Sequence, residues 1–212
     1  MLVIVDYGMG NLRSVEKAFE ACGERPKISS DPHVIEKADK IVLPGVGAFT
    51  QAMAVLKKRK LIGLIRDKIK NGTPYLGLCL GLQLLFSESQ EGRGAKGLGI
   101  IEGPVKRFSG KLKVPHMGWN TINPLKKNCP LFQGISKEAY FYFVHSYYGM
   151  PADKSWVLAS TDYGIKFCSA VWKGHVFATQ FHPEKSQAEG LRMIKNFSQY
   201  DKKGANDPDS RH

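Results

Sequence analysis

The sequence predicts an α/β protein built on a mixed, mostly parallel sheet, and two observations carry that expectation. In the first half of the chain short apolar runs alternate with segments of helical periodicity, as in parallel strands with helices on both faces. In the second half strand-like runs follow one another closely, joined by turn residues, as in antiparallel hairpins. A length of 212 residues is enough for one domain with its own core.

The elements follow in order. Leu2–Asp6 reads as a buried strand, and Tyr7-Gly8-Met9-Gly10-Asn11 as the turn after it. Leu12, Val15, Ala18, Phe19 and Cys22 then recur at helical spacing. Ile41-Val42-Leu43 is a short strand ended by Pro44-Gly45-Val46-Gly47. Helices are expected over Phe49–Leu56 and Leu61–Ile69, with Asn71-Gly72 as the stop. Pro74–Leu78 is a third strand and Leu80–Ser87 a third helix. Beyond it, Ala139–Val144, Trp156–Ser160, Ile165–Trp172 and His175–Phe181 are strand-like, with turns at Asp162-Tyr163-Gly164 and Lys173-Gly174. A last helix starts at Ser186, with Glu189 placed to close a capping box and Leu191, Ile194 and Phe197 turned inward. The folded domain is expected over 1–200, and the polar stretch 201–212 reads as a disordered tail.

Composition narrows the function classes. Apolar residues at 42% and charged residues at 24% are ordinary for a globular chain. No run approaches the roughly 18–20 apolar residues a membrane span needs, and Asp6 interrupts the first apolar run, against a signal peptide. Cys22, Cys79, Cys129 and Cys168 show no paired spacing, which argues against zinc and disulfide frameworks. A cytoplasmic protein with no metal, no cofactor and no membrane partner is the expectation. The net charge is +12, from 31 Lys and Arg against 19 Asp and Glu. It gathers in Lys57-Lys58-Arg59-Lys60 and in the acid-free segment Gly103–Lys137. Neither carries a helix-turn-helix, a zinc finger or an aromatic RNA-stacking motif, so a solvated basic face is favoured over nucleic-acid binding.

The sharpest local feature is Gly77-Leu78-Cys79-Leu80-Gly81, a G-x-C-x-G between a strand and a helix. Its serine counterpart is a strained elbow that holds a nucleophile out at the sheet edge. The two glycines allow chain segments to pass too close for a Cβ. A cysteine at a helix N-terminus is favoured as thiolate, and the Leu80 N–H faces a developing oxyanion. A nucleophilic cysteine also needs a base and a group to orient it. His182-Pro183-Glu184 follows the strand His175–Phe181, so both side chains can face the edge where Cys79 emerges. Pro44-Gly45-Val46-Gly47 supplies a second glycine turn at a strand end. No dinucleotide site is expected, because Gly8-x-Gly10 lacks a third glycine.

Taken together, Gly77–Gly81 with Gln83 and His182-Pro183-Glu184 resemble the triad (class I) glutamine amidotransferases. Asp6–Asn11, Pro44–Gly47, Pro115-His116-Met117-Gly118-Trp119-Asn120, Tyr142–Tyr147 and His182–Ser186 resemble the branch formed by the glutaminase subunits of imidazole glycerol phosphate synthases. The match spans about residues 2–200 in the family's order.

The resemblance implies a flavodoxin-like three-layer αβα sandwich and hydrolysis of L-glutamine to glutamate and ammonia. It implies Cys79 as nucleophile, His182 as proton relay and Glu184 as its orienting carboxylate. Val46, Gly47 and Leu80 are implied as the oxyanion hole, with the Pro44–Gly47 turn reorienting to form it. Gly47, Gln83, Ser146 and Tyr147 are implied as the glutamine-binding positions. The implied partner is a HisF-type (β/α)8-barrel cyclase in a heterodimer, which takes up the ammonia to make imidazole glycerol phosphate and an aminoimidazole carboxamide ribotide. Asn11, His116, Met117, Trp119, Asn120, Tyr142 and Lys185 are implied at that interface, rimmed by the cations of Gly103–Lys137. A core position remains the alternative for Trp119. A paralogue feeding ammonia to a sugar-modifying enzyme of surface-polysaccharide synthesis fits the same site residues. A basic binding module without activity fits less well, because Cys79, His182 and Glu184 are all intact.

Overall fold

The computed structural model describes residues 1–92, 94–110 and 112–201. Lys111 of the basic segment and the expected tail from 202 onward lie outside the described residues. The first half contains β1 (Leu2–Val5), α1 (Leu12–Ala21), β2 (Lys27–Ser29), α2 (Pro32–Glu36), β3 (Lys40–Gly45), α3 (Phe49–Lys58), α4 (Leu61–Lys70), β4 (Tyr75–Cys79) and α5 (Leu80–Gln83). The second half contains β5 (Phe86–Ser89), β6 (Ala95–Lys96), β7 (Ile101–Arg107), β8 (His116–Thr121), β9 (Asn123–Pro124), β10 (Tyr140–His145), β11 (Tyr147–Gly149), β12 (Val157–Asp162), β13 (Lys166–Lys173), β14 (Val176–Thr179) and α6 (Gln187–Gln199).

The main sheet has eight strands in the order β2-β1-β3-β4-β14-β13-β12-β9. Pairing is parallel from β2 to β14 and antiparallel beyond it. β1, β4 and β14 are buried on both faces, as a sheet covered by helices requires. Alternation along β1 sends Leu2 and Ile4 to one core, with Phe19 of α1 and Ile194 and Phe197 of α6. Val3 and Val5 go to the other, with Phe49 and Leu56 of α3 and Leu61 and Ile65 of α4. The result is the expected three-layer sandwich. Both edges are short, three residues in β2 and two in β9.

Several elements depart from the sequence-based expectation. The helix expected over Leu80–Ser87 stops at Gln83, and the chain turns into β5. Tertiary pairing overrides the helical period there: the Leu84 carbonyl accepts from Leu98 N at 2.7 Å, and the Leu85 carbonyl from Ile100 N and Ile101 N at 2.9 Å. β5 then joins a four-stranded sheet, β11-β7-β5-β6. The strand expected at Ala139–Val144 forms, but β10 leaves the main sheet and pairs with β8 alone. The capping box at Ser186 does not form. Ser186 Oγ donates to the His182 carbonyl at 2.6 Å, while Glu189 accepts from Ser136 N at 3.3 Å. β2 and α2 were not anticipated; α2 is announced locally by Asp31, which accepts from His33 N at 2.9 Å, followed by Pro32 in the first turn.

Candidate active site

β4 delivers Cys79 at its end with φ 53° and ψ −101°, a strained geometry for a non-glycine residue. Close chain passage enforces it. A Cβ on Gly81 would lie 1.9 Å from the Leu43 carbonyl oxygen, and one on Gly77 would lie 2.7 Å from the Gly81 oxygen. Tyr75 Oη donates to that same Gly81 oxygen at 2.9 Å, pinning the turn from below. The register of β3 against β4 pairs Gly45 with Cys79, so Val46 and Gly47 emerge beside the elbow. α5 has only four residues, so its macrodipole is small. The charge that faces the sulfur comes from elsewhere.

That charge is on His182. β14 runs parallel to β4, with Thr179 opposite Leu78, and the chain beyond it carries His182 to the same edge. His182 Nδ1 and Glu184 Oε1 are 2.7 Å apart, with both side chains 3% exposed. A single 3-10 turn over Pro183–Lys185, rather than an extended chain, brings the two together. His182 N donates to the Tyr142 carbonyl at 2.9 Å, which fixes the backbone. Burial pushes the imidazole down, but its interactions with Cys79 and Glu184 outweigh it and raise His182 from 6.5 to about 10. His182 Nε2 has no hydrogen-bond partner of good geometry, so its pull on Cys79 is mainly one of charge. A buried imidazolium between a sulfur and a carboxylate can deliver a proton to a departing group and take one back.

Cys79, Val46, Gly47, Leu80, Gln83, Ser146 and Tyr147 line one cavity of about 430 Å³. His182 is not among the residues that line it. Gln83 Nε2 donates to the Tyr147 carbonyl at 2.9 Å and to Gln180 Oε1 at 3.2 Å. Two residues here were missed from sequence. Glu91 lines the cavity and accepts from Phe49 N at 2.8 Å; no motif surrounds it. Gln180 places Nε2 3.7 Å from Cys79 Sγ, and its position two residues before His182 was the available signal. A larger cleft of about 970 Å³ along residues 122–137 contains none of these groups. Among the described residues, no cluster of His, Cys, Asp or Glu is placed to hold a metal ion. None of their helices is long and apolar enough to cross a membrane.

The expected interface positions divide. Met117 and Trp119 on β8 are 62% and 47% exposed, so Trp119 is not a core residue. Trp119 meets Tyr142 edge-on at 6.0 Å, and Lys185 Nζ lies 5.7 Å above the Tyr142 ring. The Tyr142 ring is 6.5 Å from that of His182, so this cluster adjoins His182. Asn11 caps α1 by accepting from Ser14 N at 3.3 Å. Asn120 donates to the Asp162 carbonyl at 3.0 Å. His116 corrects the expectation: it is 3% exposed and lies inside, stacked between Phe143 and Tyr163.

Comparison with known proteins agrees with this geometry. Residues 3–199 match the family described as glutamine amidotransferase class-I. The chain is 53% identical to the imidazole glycerol phosphate synthase subunit HisH of Syntrophotalea carbinolica, over 93% of this chain and 98% of that one. It is 52% identical to the corresponding subunit of Methanosarcina acetivorans, over 92% and 96%. A crystal structure of a glutamine amidotransferase superposes with a TM-score of 0.72 at 21% identity, over 92% of this chain and 96% of that one. The chain belongs to the class-I glutamine amidotransferases and, within them, to the HisH family.

Proposed function

We propose that the protein is the glutaminase subunit of an imidazole glycerol phosphate synthase and works through Cys79, His182 and Glu184. The observation that carries this reading is the buried His182–Glu184 pair, 2.7 Å apart, whose imidazole is held charged by the sulfur on a strained elbow. The Cys79 thiolate attacks the side-chain amide carbon of glutamine. The oxyanion that forms is met by backbone N–H groups of Leu80 and of a reoriented Val46–Gly47 turn. The C–N bond breaks as His182 gives its proton to the departing ammonia, leaving a thioester. Water, deprotonated by His182, then releases glutamate and restores the thiolate. Glu184 keeps the imidazole oriented throughout. Gln83, Ser146 and Tyr147 hold the substrate, and the Glu91 carboxylate complements its α-ammonium group.

Ammonia leaves toward the partly exposed cluster of Met117, Trp119, Tyr142 and Lys185. There a HisF-type (β/α)8-barrel cyclase docks as the other half of a heterodimer, in the cytoplasm, with basic groups of Gly103–Lys137 as its rim. The names borne by relatives about half identical over nearly the whole chain favour this acceptor over a sugar-modifying enzyme. Glutamate release from glutamine, with and without the cyclase and its nucleotide ligand, tests the reading. Strong activation by the liganded cyclase is expected. No response from a folded protein would move the assignment to another acceptor.

A further inference from the structure

Two histidines that this mechanism does not use lie side by side at one end of the β8–β10 pair. His116 and His145 are register partners across the two strands, and both are buried. The Tyr147 carbonyl can only accept, so His145 carries its proton on Nδ1 and donates it there across 2.8 Å. His145 Nε2 is then an acceptor, and His116 Nδ1–H donates to it at 3.0 Å. His116 Nε2 accepts in turn from Asn120 Nδ2 at 3.3 Å. Every N–H from Asn120 through His116 and His145 to Tyr147 therefore points the same way.

That order requires both rings to be neutral. Burial lowers His116 to about 4. Burial, assisted by the nearby His116 and His182, lowers His145 to about 3 against the opposing bond to Tyr147. The rings are also clamped. His116 stacks on Phe143 at 4.8 Å and Tyr163 at 4.0 Å, and Phe108 packs against both histidines. Phenylalanine would fill this space without the desolvation penalty that two imidazoles carry. What imidazoles add is a directed donor at the far end, where His145, itself part of the cavity wall, donates to the Tyr147 carbonyl beside it. The Tyr147 carbonyl takes a second hydrogen bond from Gln83, whose amide also holds Gln180 against Cys79.

We propose that His116 and His145 are a positioning pair that keeps the Tyr147 carbonyl turned toward Gln83 and so sets the wall against which glutamine lies. The inference rests on the glutaminase reading above. Its test is the steady-state kinetics of glutamine hydrolysis in the liganded complex with the cyclase, alongside thermal unfolding of each variant. His145→Leu removes the donor to Tyr147; loss of one buried hydrogen bond is expected to raise KM about 10-fold, with kcat within about three-fold. His145→Asn returns an N–H near the place of Nδ1. It is expected to recover most of the KM while its melting temperature stays lowered, a split that a merely structural role would not produce. Equal KM in the two variants, or no change in either, overturns the proposal. Should His145→Leu fail to fold, His116→Leu is expected to raise KM about three-fold by loosening His145, and an unchanged value overturns the proposal equally. Absence of glutamate release by the unmodified complex overturns the glutaminase reading itself, and this inference with it.

Discussion

The elbow at the end of β4 and the exposed ribbon of β8 and β10 lie close together but are built by different forces. At the elbow, backbone holds backbone: Gly81 passes so near the Leu43 carbonyl that no Cβ fits, and Cys79 is pressed into a positive φ. On the ribbon, side chains hold side chains, with Trp119 edge-on to Tyr142 and Lys185 above it. Close backbone contact fixes an atom's position but forbids substitution. Stacked exposed side chains can be changed singly without threatening the fold. The molecule keeps its bond-breaking chemistry on the first kind of support and presents its candidate docking groups on the second.

Variants can break this contrast at either end. The largest effect is expected from Cys79→Ala, which should lower glutamate release by about 10⁴-fold or more without unfolding the protein, as removal of a triad nucleophile does. A rate within about 10-fold of the parent would remove Cys79 from the chemistry. Gly81→Ala, on the same support, should destabilise by about 3 kcal/mol or more, because its methyl group meets backbone that cannot give way. Chemical denaturation measures this, and a shift within about 0.5 kcal/mol would show that the elbow relaxes.

Titration sharpens the same comparison. His182 is raised from 6.5 to about 10 in the fold, so the native state holds a proton that the unfolded chain releases. Its contribution to stability is therefore complete below about pH 6.5 and is lost as pH rises through about 10. Cys79→Ala removes a principal source of the raise and should flatten the fall of melting temperature between those limits. An identical pH profile in parent and variant would place the source of the effect elsewhere. The smallest stability effect belongs to the ribbon. Trp119→Ala, at a half-exposed position, should change unfolding free energy by no more than about 0.5 kcal/mol, yet lower cyclase-stimulated glutamate release more than it raises KM for glutamine. Unaltered stimulation in that variant would take Trp119 out of the interface.

The difference between the regions also decided how much could be read from sequence. The parallel half of the fold was legible because double-sided burial writes continuous apolar runs such as Leu2–Val5 and Tyr75–Leu78. The elbow was legible because only glycine survives at Gly77 and Gly81, which leaves a pattern on the chain itself. β5 was not, since its strand character comes from pairing with β6 and β7, which lie further along the chain. His116 misled for a related reason. Its exposed neighbours Met117 and Trp119 suggest a surface, but alternation along β8 puts His116 on the opposite face, where Phe143 and Tyr163 stack on it. Glu91 reaches the cavity through folding alone, whereas Gln180, beside Cys79, was marked only by its place two residues before His182.

The two short edges of the main sheet bear on a different matter, the way copies of the chain avoid one another. An open sheet invites its own continuation, because an edge strand offers a ladder of unspent N–H and C=O groups to any passing strand. Here one rim is three residues long and begins with an exposed lysine, and the other is two residues long and ends in Pro124, which has no N–H to give. A neighbour arriving at either rim finds too few rungs to climb. The protein can thus be abundant and crowded without polymerising through its sheet.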